Sequence, residues 1–165
     1  MMSLIACPSP NYGARPPGAQ PCMIVIHYTG MKTMEAARER LCDPAASVSA
    51  HYMIDEDGTI YQLVDENKRA WHAGLSAWED ITDVNSHSIG IELVNPGHEW
   101  GYRPFPEEQI AALAALCRGI TERHTIRWVL GHSDVAPDRK RDPGDLFDWD
   151  WLARAGVPNI HAHKG

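Results

Sequence analysis

The chain has 165 residues, of which 44% are hydrophobic and 22% are charged, a composition that predicts one globular domain with a packed core. The formal net charge of -7 lacks the basic character that binds phosphate backbones, so we expect no nucleic-acid partner. No apolar run approaches the roughly 20 residues that a bilayer span requires, so we expect no membrane partner either. The sequence does not indicate an oligomeric state.

The first part of the chain is rich in proline, glycine and serine and has no hydrophobic periodicity. We therefore predict an irregular N-terminal arm over residues 1–21. This segment has no charged region followed by a secretory apolar stretch, and we expect a cytoplasmic location. The four cysteines form no CxxC pair, a pattern that indicates neither a zinc ribbon nor a redox motif.

Two elements are predicted directly after the arm. Residues 23–27 are a short apolar, β-branched run, which is typical of a strand buried on both faces, and His27 stands at its carboxyl end. Thr33 is a suitable N-cap, and the apolar residues after it recur at helical spacing. Asp43 and Pro44 end this short helix.

A hairpin and a further strand follow. Residues 51–54 and 59–64 flank an Asp57-Gly58 step, which favours a tight turn between two antiparallel strands. Residues 88–94 form another apolar strand, but Glu92 places a carboxylate between two large aliphatic side chains. This acid is difficult to explain by structure alone.

The second half of the chain contains the longest predicted helix. Pro106 opens it, and apolar residues mark one buried face along it. Residues 127–130 form the last strand, and residues 131–147 form a long loop. Asp148 caps a final short helix, which precedes a C-terminal tail over residues 154–165. Strands that alternate with helices predict a single α/β domain over the whole chain, with a mixed central β-sheet and helices packed on its faces.

Two histidines and one aspartate lie where open α/β sheets place their sites, at the carboxyl ends of strands. His27 ends one strand, His132 follows another, and the loop that begins at His132 carries Asp142. Two imidazoles, one carboxylate and a water molecule make a catalytic zinc site, whereas a structural zinc site has four protein ligands. We therefore predict a zinc site at the strand ends.

Two further residues are candidates for catalysis of amide hydrolysis. Glu92 is the best candidate for the general base, and the alternative is a buried ion pair. Lys140 stands two residues before Asp142 and could stabilise an oxyanion. By composition alone, however, we favour a solvated run of basic residues at this position.

Five sequence blocks, in order along the chain, resemble the type 2 N-acetylmuramoyl-L-alanine amidases, which are related to the peptidoglycan recognition proteins. The blocks are IVIHYTG, VSAHYMIDEDGTIYQLV, AWHAG, SIGIELVNPG and GHSDVAPDRKRDPG, and the match extends over about residues 22–152. The resemblance implies that zinc is bound by His27, His132 and Asp142. It also implies Glu92 as base and Lys140 as oxyanion stabiliser.

The resemblance further implies the substrate. AWHAG lines the family's substrate groove, so Trp71 and His72 are candidates for contact with sugar or peptide, with plain packing as the alternative. The expected reaction is hydrolysis of the lactyl-L-alanine amide of muropeptides or peptidoglycan fragments. The small size fits the cytoplasmic, AmpD-like members, which recycle 1,6-anhydro-muropeptides. The alternatives are a non-catalytic peptidoglycan-binding module of the same fold and a zinc hydrolase of an unrelated amide.

The remaining histidines are interpreted as structural or as surface residues. His51 lies in the second block, and we expect it to support the structure rather than to bind zinc. Five others match no catalytic motif and are assigned to the surface: His87, His98, His124, His161 and His163.

Overall fold

The structure, a computed structural model, describes residues 4–161. The first three residues of the predicted arm and the last four of the predicted tail, including His163, lie outside the described residues. The strands are β1 (Leu4–Ala6), β2 (Tyr12–Ala14), β3 (Met23–Tyr28), β4 (Tyr52–Ile54), β5 (Ile60–Gln62), β6 (Lys68–Ala70), β7 (Ser88–Leu93) and β8 (Trp128–Gly131). The helices are α1 (Met34–Leu41), α2 (Gly97–Trp100), α3 (Glu107–Arg123), α4 (His132–Val135) and α5 (Trp149–Arg154), with 3-10 turns at Pro44–Ala46 and Val84–His87.

The central sheet is mixed, as predicted. Its strand order is β1-β5-β4-β7-β3-β8, in which β4 and β5 are antiparallel and the other neighbours are parallel. The antiparallel pair is the predicted hairpin. Strands β7, β3 and β8 carry buried apolar residues on both faces, because helices and loops cover both sides of the sheet. The predicted α/β fold is therefore confirmed.

Each face of the sheet has its own hydrophobic core. One face packs against α3 and α5, and the largest side chains of this core include Ile24, Ile26, Ile91, Leu113 and Ile120. The opposite face packs against α1 and the segment that follows β6, through smaller clusters around Met53 and Val25. The second face leaves room at the carboxyl ends of β3 and β7 for polar side chains.

The helix ends follow their sequence signals. The Thr33 hydroxyl accepts a hydrogen bond from the Ala36 amide at 3.1 Å, and the Asp148 carboxylate accepts one from the Trp151 amide at 3.0 Å. Both contacts satisfy amides that have no partner inside the helix. Within residues 4–161, no helix combines the length and the apolar character needed to cross a lipid bilayer.

The predicted irregular arm contains two strands, which corrects that prediction. β1 adds to the edge of the central sheet beside β5, and β2 pairs with β6, a strand that we did not predict. Arg15 anchors the arm, because its guanidinium donates to a set of backbone carbonyls. These carbonyls belong to Glu66, Asn85, Ser86 and Ser88. The partners are more than 50 residues away in the chain, so no local pattern reveals them.

The predicted loop over residues 131–147 begins with one helical turn, α4. The Asp134 carboxylate accepts a hydrogen bond from the Gly131 amide at 2.8 Å, and the His132 carbonyl accepts one from the Ala136 amide at 2.9 Å. The turn places His132 directly at the end of β8. The chain beyond it is irregular up to α5, as predicted.

Candidate metal centre and active site

Strand pairing brings two of the predicted site residues side by side. His27 on β3 is the register partner of Glu92 on β7, so both side chains project from the same face of the sheet. On the other side of β3, Gly131 of β8 pairs with Ile26, and His132 follows at once. These three candidate residues therefore share the carboxyl edge of three adjacent parallel strands, the edge at which the sequence predicted the two histidines.

Asp142 completes a cluster with the two histidines. Its backbone carbonyl accepts a hydrogen bond from the Ser133 amide at 3.0 Å, which draws the loop back to α4. The Nδ1 atoms of His27 and His132 are 2.9 Å apart, and Oδ2 of Asp142 lies 3.4 Å and 3.3 Å from them. All three residues are buried. The cluster could hold a metal ion.

The far side of each imidazole is already occupied by the protein. Nε2 of His132 lies 2.9 Å from the carbonyl oxygen of Ala73, which only accepts, so the proton of a neutral His132 is on Nε2. Nε2 of His27 lies 2.9 Å from Nδ1 of His72. When the single proton of a neutral His27 is on Nε2 and is donated to His72, Nδ1 of His27 is bare. Two lone pairs and a carboxylate oxygen then face one point, where they repel one another unless a cation lies between them.

The electrostatics of the cluster agree with this arrangement. Burial and the neighbouring His132 lower the pKa of His27 to about 4, so this imidazole is neutral at physiological pH. Burial acts to raise the pKa of Asp142, but the neighbouring imidazoles of His132 and His27 hold it well below its usual range. A neutral imidazole and an ionised carboxylate are the forms that bind metals.

Glu92 lies beside the cluster as a carboxyl group with unused hydrogen-bonding capacity. Burial, and then the negative charge of Asp142, raise its pKa well above the usual range, while the charge of Lys140 opposes that shift. Its Oε2 atom is buried and has no hydrogen-bond partner within residues 4–161. The alternative that we considered, a buried ion pair, is not present among the described contacts of Glu92. An acid held in this state is suited to accept and return protons.

These residues line one cavity of about 540 Å³ at the edge of the sheet. Lys140 is half-buried in its wall, and its ammonium group makes no hydrogen bond or ion pair within the described part of the chain. Trp71 lines the same cavity, and two backbone contacts with Ser49 fix its position. The structure thus brings all of the predicted site residues to this cavity, together with Tyr28, Arg40, His98, Trp100, Arg139 and Arg141.

A family model described as N-acetylmuramoyl-L-alanine amidase matches residues 17–145. The chain belongs to this family. The match confirms the predicted resemblance, and the family's model covers the residues that form the cluster.

Relatives and a solved structure support the same assignment. AmiD, an N-acetylmuramoyl-L-alanine amidase of Escherichia coli (strain K12), is 40% identical over 149 residues, which cover 82% of this chain and 53% of AmiD. The chain therefore spans about half the length of that relative. AmpD, the 1,6-anhydro-N-acetylmuramyl-L-alanine amidase of the same strain, is 35% identical over 161 residues, which cover 86% of each chain.

The solved structure is a complex of E. coli AmiD with the substrate anhydro-N-acetylmuramic acid-L-Ala-D-gamma-Glu-L-Lys. It matches with a TM-score of 0.76 and 39% identity, and the match covers 86% of this chain and 60% of that chain. The similarity in structure and sequence shows that the chain has the amidase fold.

His72 occupies a different place from the predicted substrate contact. Although it borders the cavity, both of its ring nitrogens bond to protein: Nδ1 lies 2.9 Å from Nε2 of His27, and Nε2 lies 2.9 Å from the Ser88 hydroxyl. The ring is buried, and its pKa is lowered well below the usual value by burial and by the neighbouring His27. In this geometry His72 supports the His27 imidazole, and its contact with substrate stays a prediction.

Gly90 makes room for the His72 ring. A Cβ atom at position 90 would lie 2.4 Å from Cγ of His72, so any larger residue displaces the imidazole. We expect Gly90→Ala to lower the free energy of unfolding by about 2 kcal/mol, the usual effect of overpacking, and to weaken metal binding. Urea unfolding of the metal-free chain and a metal titration measure the two effects.

Gly13→Ala is the matched control for this prediction. Gly13 is also on a strand, but a Cβ atom there meets nothing within 4 Å. We expect a change of less than about 0.5 kcal/mol and unaltered metal binding. Equal stability and metal affinity of the two variants would contradict the proposed role of Gly90.

Sequence reasoning missed Ser88 and Gly90, although a glycine inside an apolar strand is a signal for close approach by another group. The interpretation of His51 as structural agrees with the structure, since its ring bonds to the Gly90 amide at 3.0 Å and to the Lys68 carbonyl at 2.9 Å. The four described histidines that were assigned to the surface are each half-buried: His87, His98, His124 and His161. His98 is bonded to a tyrosine hydroxyl, and His124 is bonded to the Glu66 carboxylate.

Proposed function

We propose that the chain is a zinc-dependent amidase, which hydrolyses the bond between the muramyl lactyl group and L-alanine. The observation that carries this proposal is the convergence of three buried metal-ligand atoms, all within 4.8 Å of one another, beside an unpaired carboxyl group. A structural metal site has no need of Glu92 next to it. A cavity that opens on these groups supports access by a substrate.

The donor set fits zinc. Ligand atoms of a tetrahedral zinc ion, with bond lengths of 2.0–2.2 Å, are about 3.3 Å apart. The three separations in the cluster, 2.9, 3.3 and 3.4 Å, are close to that value. Three protein ligands leave the fourth position for water, which distinguishes a catalytic site from a structural one. Zinc at this site would lower the pKa of that water and polarise the scissile carbonyl.

In this proposal Glu92 moves the protons. Burial raises its pKa well above that of an exposed glutamate, so it holds a proton taken from the attacking water more strongly before it passes that proton to the departing amine. The position of Glu92 next to His27 in the sheet register holds it at the cluster. Among the described residues that line the cavity, the other carboxyl groups are those of Asp142 and Glu99.

Lys140 stabilises the negative charge that develops on the carbonyl oxygen. Because this charge appears only in the transition state, we expect Lys140→Ala to lower kcat by about 100-fold and to change KM much less. Steady-state kinetics on a defined muropeptide measure both constants. Lys68→Ala, an exposed lysine on β6, is the control, and we expect near-normal values for it. A raised KM with normal kcat would make Lys140 a substrate-binding residue instead.

The proposed substrates are muropeptides, and specifically 1,6-anhydro-muropeptides in cell-wall recycling. The full name of AmpD specifies a 1,6-anhydro-N-acetylmuramyl substrate. The structure of AmiD has been solved in complex with an anhydro-muramyl tripeptide. Trp71 is proposed to pack against the sugar or the peptide from the cavity wall. The cytoplasmic location expected from the sequence stays a prediction.

Mass spectrometry of the products tests the proposed function. We expect release of the intact stem peptide from a defined anhydro-muropeptide, with a free stem peptide left uncut and with turnover that requires zinc. Binding of the muropeptide without turnover, in zinc-loaded protein, would favour the peptidoglycan-binding module. Equal cleavage of amides that carry no muramyl group would favour a zinc hydrolase of another substrate.

A further inference from the structure

Three aromatic side chains connect the two segments that carry the metal ligands. Tyr28 directly follows the ligand His27, and its hydroxyl lies 2.7 Å from Nδ1 of His98. The His98 ring stacks on Tyr102, with centroids 4.2 Å apart and an angle of 24° between the planes. The Tyr102 hydroxyl donates a hydrogen bond to the carbonyl of Pro143 at 2.7 Å, and Pro143 directly follows the third ligand. This stack of Tyr28, His98 and Tyr102 therefore links β3 to the ligand-bearing loop, the irregular segment between α4 and α5 that carries Asp142.

The loop folds around the Tyr102 hydroxyl. This hydroxyl donates to the Pro143 carbonyl and accepts from the Leu146 amide at 3.0 Å, so it is both donor and acceptor within one turn of the loop. Between these partners, Gly144 has φ +84°, and a Cβ atom there would lie 2.3 Å from the hydroxyl oxygen. Glycine is required both for the backbone angle and for the close approach of the tyrosine.

Close packing also confines the stack at its other end, around Tyr28. Gly97 has φ +74°, and a Cβ atom there would lie 2.8 Å from Cε1 of Tyr28. The Tyr28 hydroxyl also accepts the His98 amide at 3.4 Å, which ties the start of α2 to β3. The Tyr102 ring is therefore fixed by His98, and His98 is fixed by Tyr28.

The ligand-bearing loop depends on such contacts for its position. Between α4 and α5 the backbone is irregular, so no helix or strand holds Asp142 in place. Its own carbonyl is held by the Ser133 amide on one side, and the next carbonyl in the chain is held by Tyr102 on the other. Ligands that are held before the metal arrives lose less entropy when they bind it.

We propose that Tyr102 is a positioning residue for Asp142, acting through the Pro143 carbonyl, with His98 and Tyr28 fixing the tyrosine ring. The inference rests on the proposed zinc site, because it assigns Tyr102 a role in the affinity of that site. It assigns Tyr102 no contact with the substrate or the reacting atoms.

Tyr102→Phe tests the inference, because it removes the hydroxyl and keeps the stacked ring. We expect the dissociation constant for zinc to rise by about ten-fold, the lower end of the effect of losing an outer support of a metal site. Competition with a chromogenic zinc chelator measures the constant without reference to activity. Tyr12→Phe is the matched control, since Tyr12 is an exposed tyrosine on β2, and we expect its zinc affinity to equal that of the parent chain.

A second control separates positioning from general stability. Ile120→Val removes one methylene from the core on the opposite face of the sheet, and we expect it to lower the midpoint of urea unfolding. We expect it to leave zinc affinity unchanged. A Tyr102→Phe affinity within two-fold of the parent value, or an equal loss in Ile120→Val, would overturn the role of Tyr102. Failure of the parent chain itself to bind zinc would overturn the proposed function as well.

Discussion

Glu92→Gln is expected to lower kcat by about two to four orders of magnitude while zinc remains bound, since a general base contributes that much to the rate. Glutamine has nearly the same shape as glutamate but cannot take up the proton of the attacking water. Glu92 has a raised pKa and a buried Oε2 atom without a hydrogen-bond partner in residues 4–161, so the substitution removes no stabilising ion pair. Single-turnover kinetics on a defined muropeptide, with zinc content measured on the same sample, check the result.

Glu39→Gln is the control for this experiment. Glu39 is an exposed glutamate on α1, and the same chemical change there is expected to leave kcat within about two-fold. Near-normal kcat in Glu92→Gln, with full zinc occupancy, would remove Glu92 from the mechanism. Loss of zinc in the same variant would make Glu92 part of the metal site rather than the base.

Removal of the metal is expected to abolish turnover and to lower thermal stability, and added zinc is expected to restore both. Because the metal binds the folded chain only, zinc at 1,000 times its dissociation constant stabilises the fold by about 4 kcal/mol. For a chain of this size that corresponds to about 8–16 °C in Tm. Activity assays and thermal unfolding, with and without a chelator, measure both effects.

Asp142→Asn is expected to reproduce the effect of the chelator in the presence of zinc. The amide keeps the shape of the side chain but removes the negative charge, which an imidazole cannot supply. Asp145→Asn, an exposed aspartate of the same loop, is the matched control and is expected to keep the response to zinc. Turnover that survives exhaustive chelation would show that the reaction does not need the metal.

The order and type of most elements could be predicted from local patterns. The β-branched run of β3, the Asp57-Gly58 turn and the apolar face of α3 each carry their signal within a few residues. The missed and altered elements lack such a signal. β1, β2 and β6 have only three residues each and form because partners far along the chain are available.

The composition of the candidate site could also be predicted, largely through the resemblance. By residue type and position alone, His27, His132 and Asp142 were candidates, while Lys140 was better explained as a solvated cation. The resemblance to the family then favoured a catalytic role for Lys140. In the structure, Lys140 lines the same cavity as the three residues of the cluster. That role remains a proposal until kinetics test it.

By itself, the sequence determined which residues are available for the chemistry and which strands carry them, because strand propensity and the order of motifs are properties of neighbouring residues. Only the tertiary structure decided what surrounds them. His72 turned out to support His27 across 45 positions of the chain, and Tyr102 holds the carbonyl of Pro143 across 41. Hydrogen bonds between such distant groups depend on how the elements pack, and a local sequence pattern carries no record of that packing.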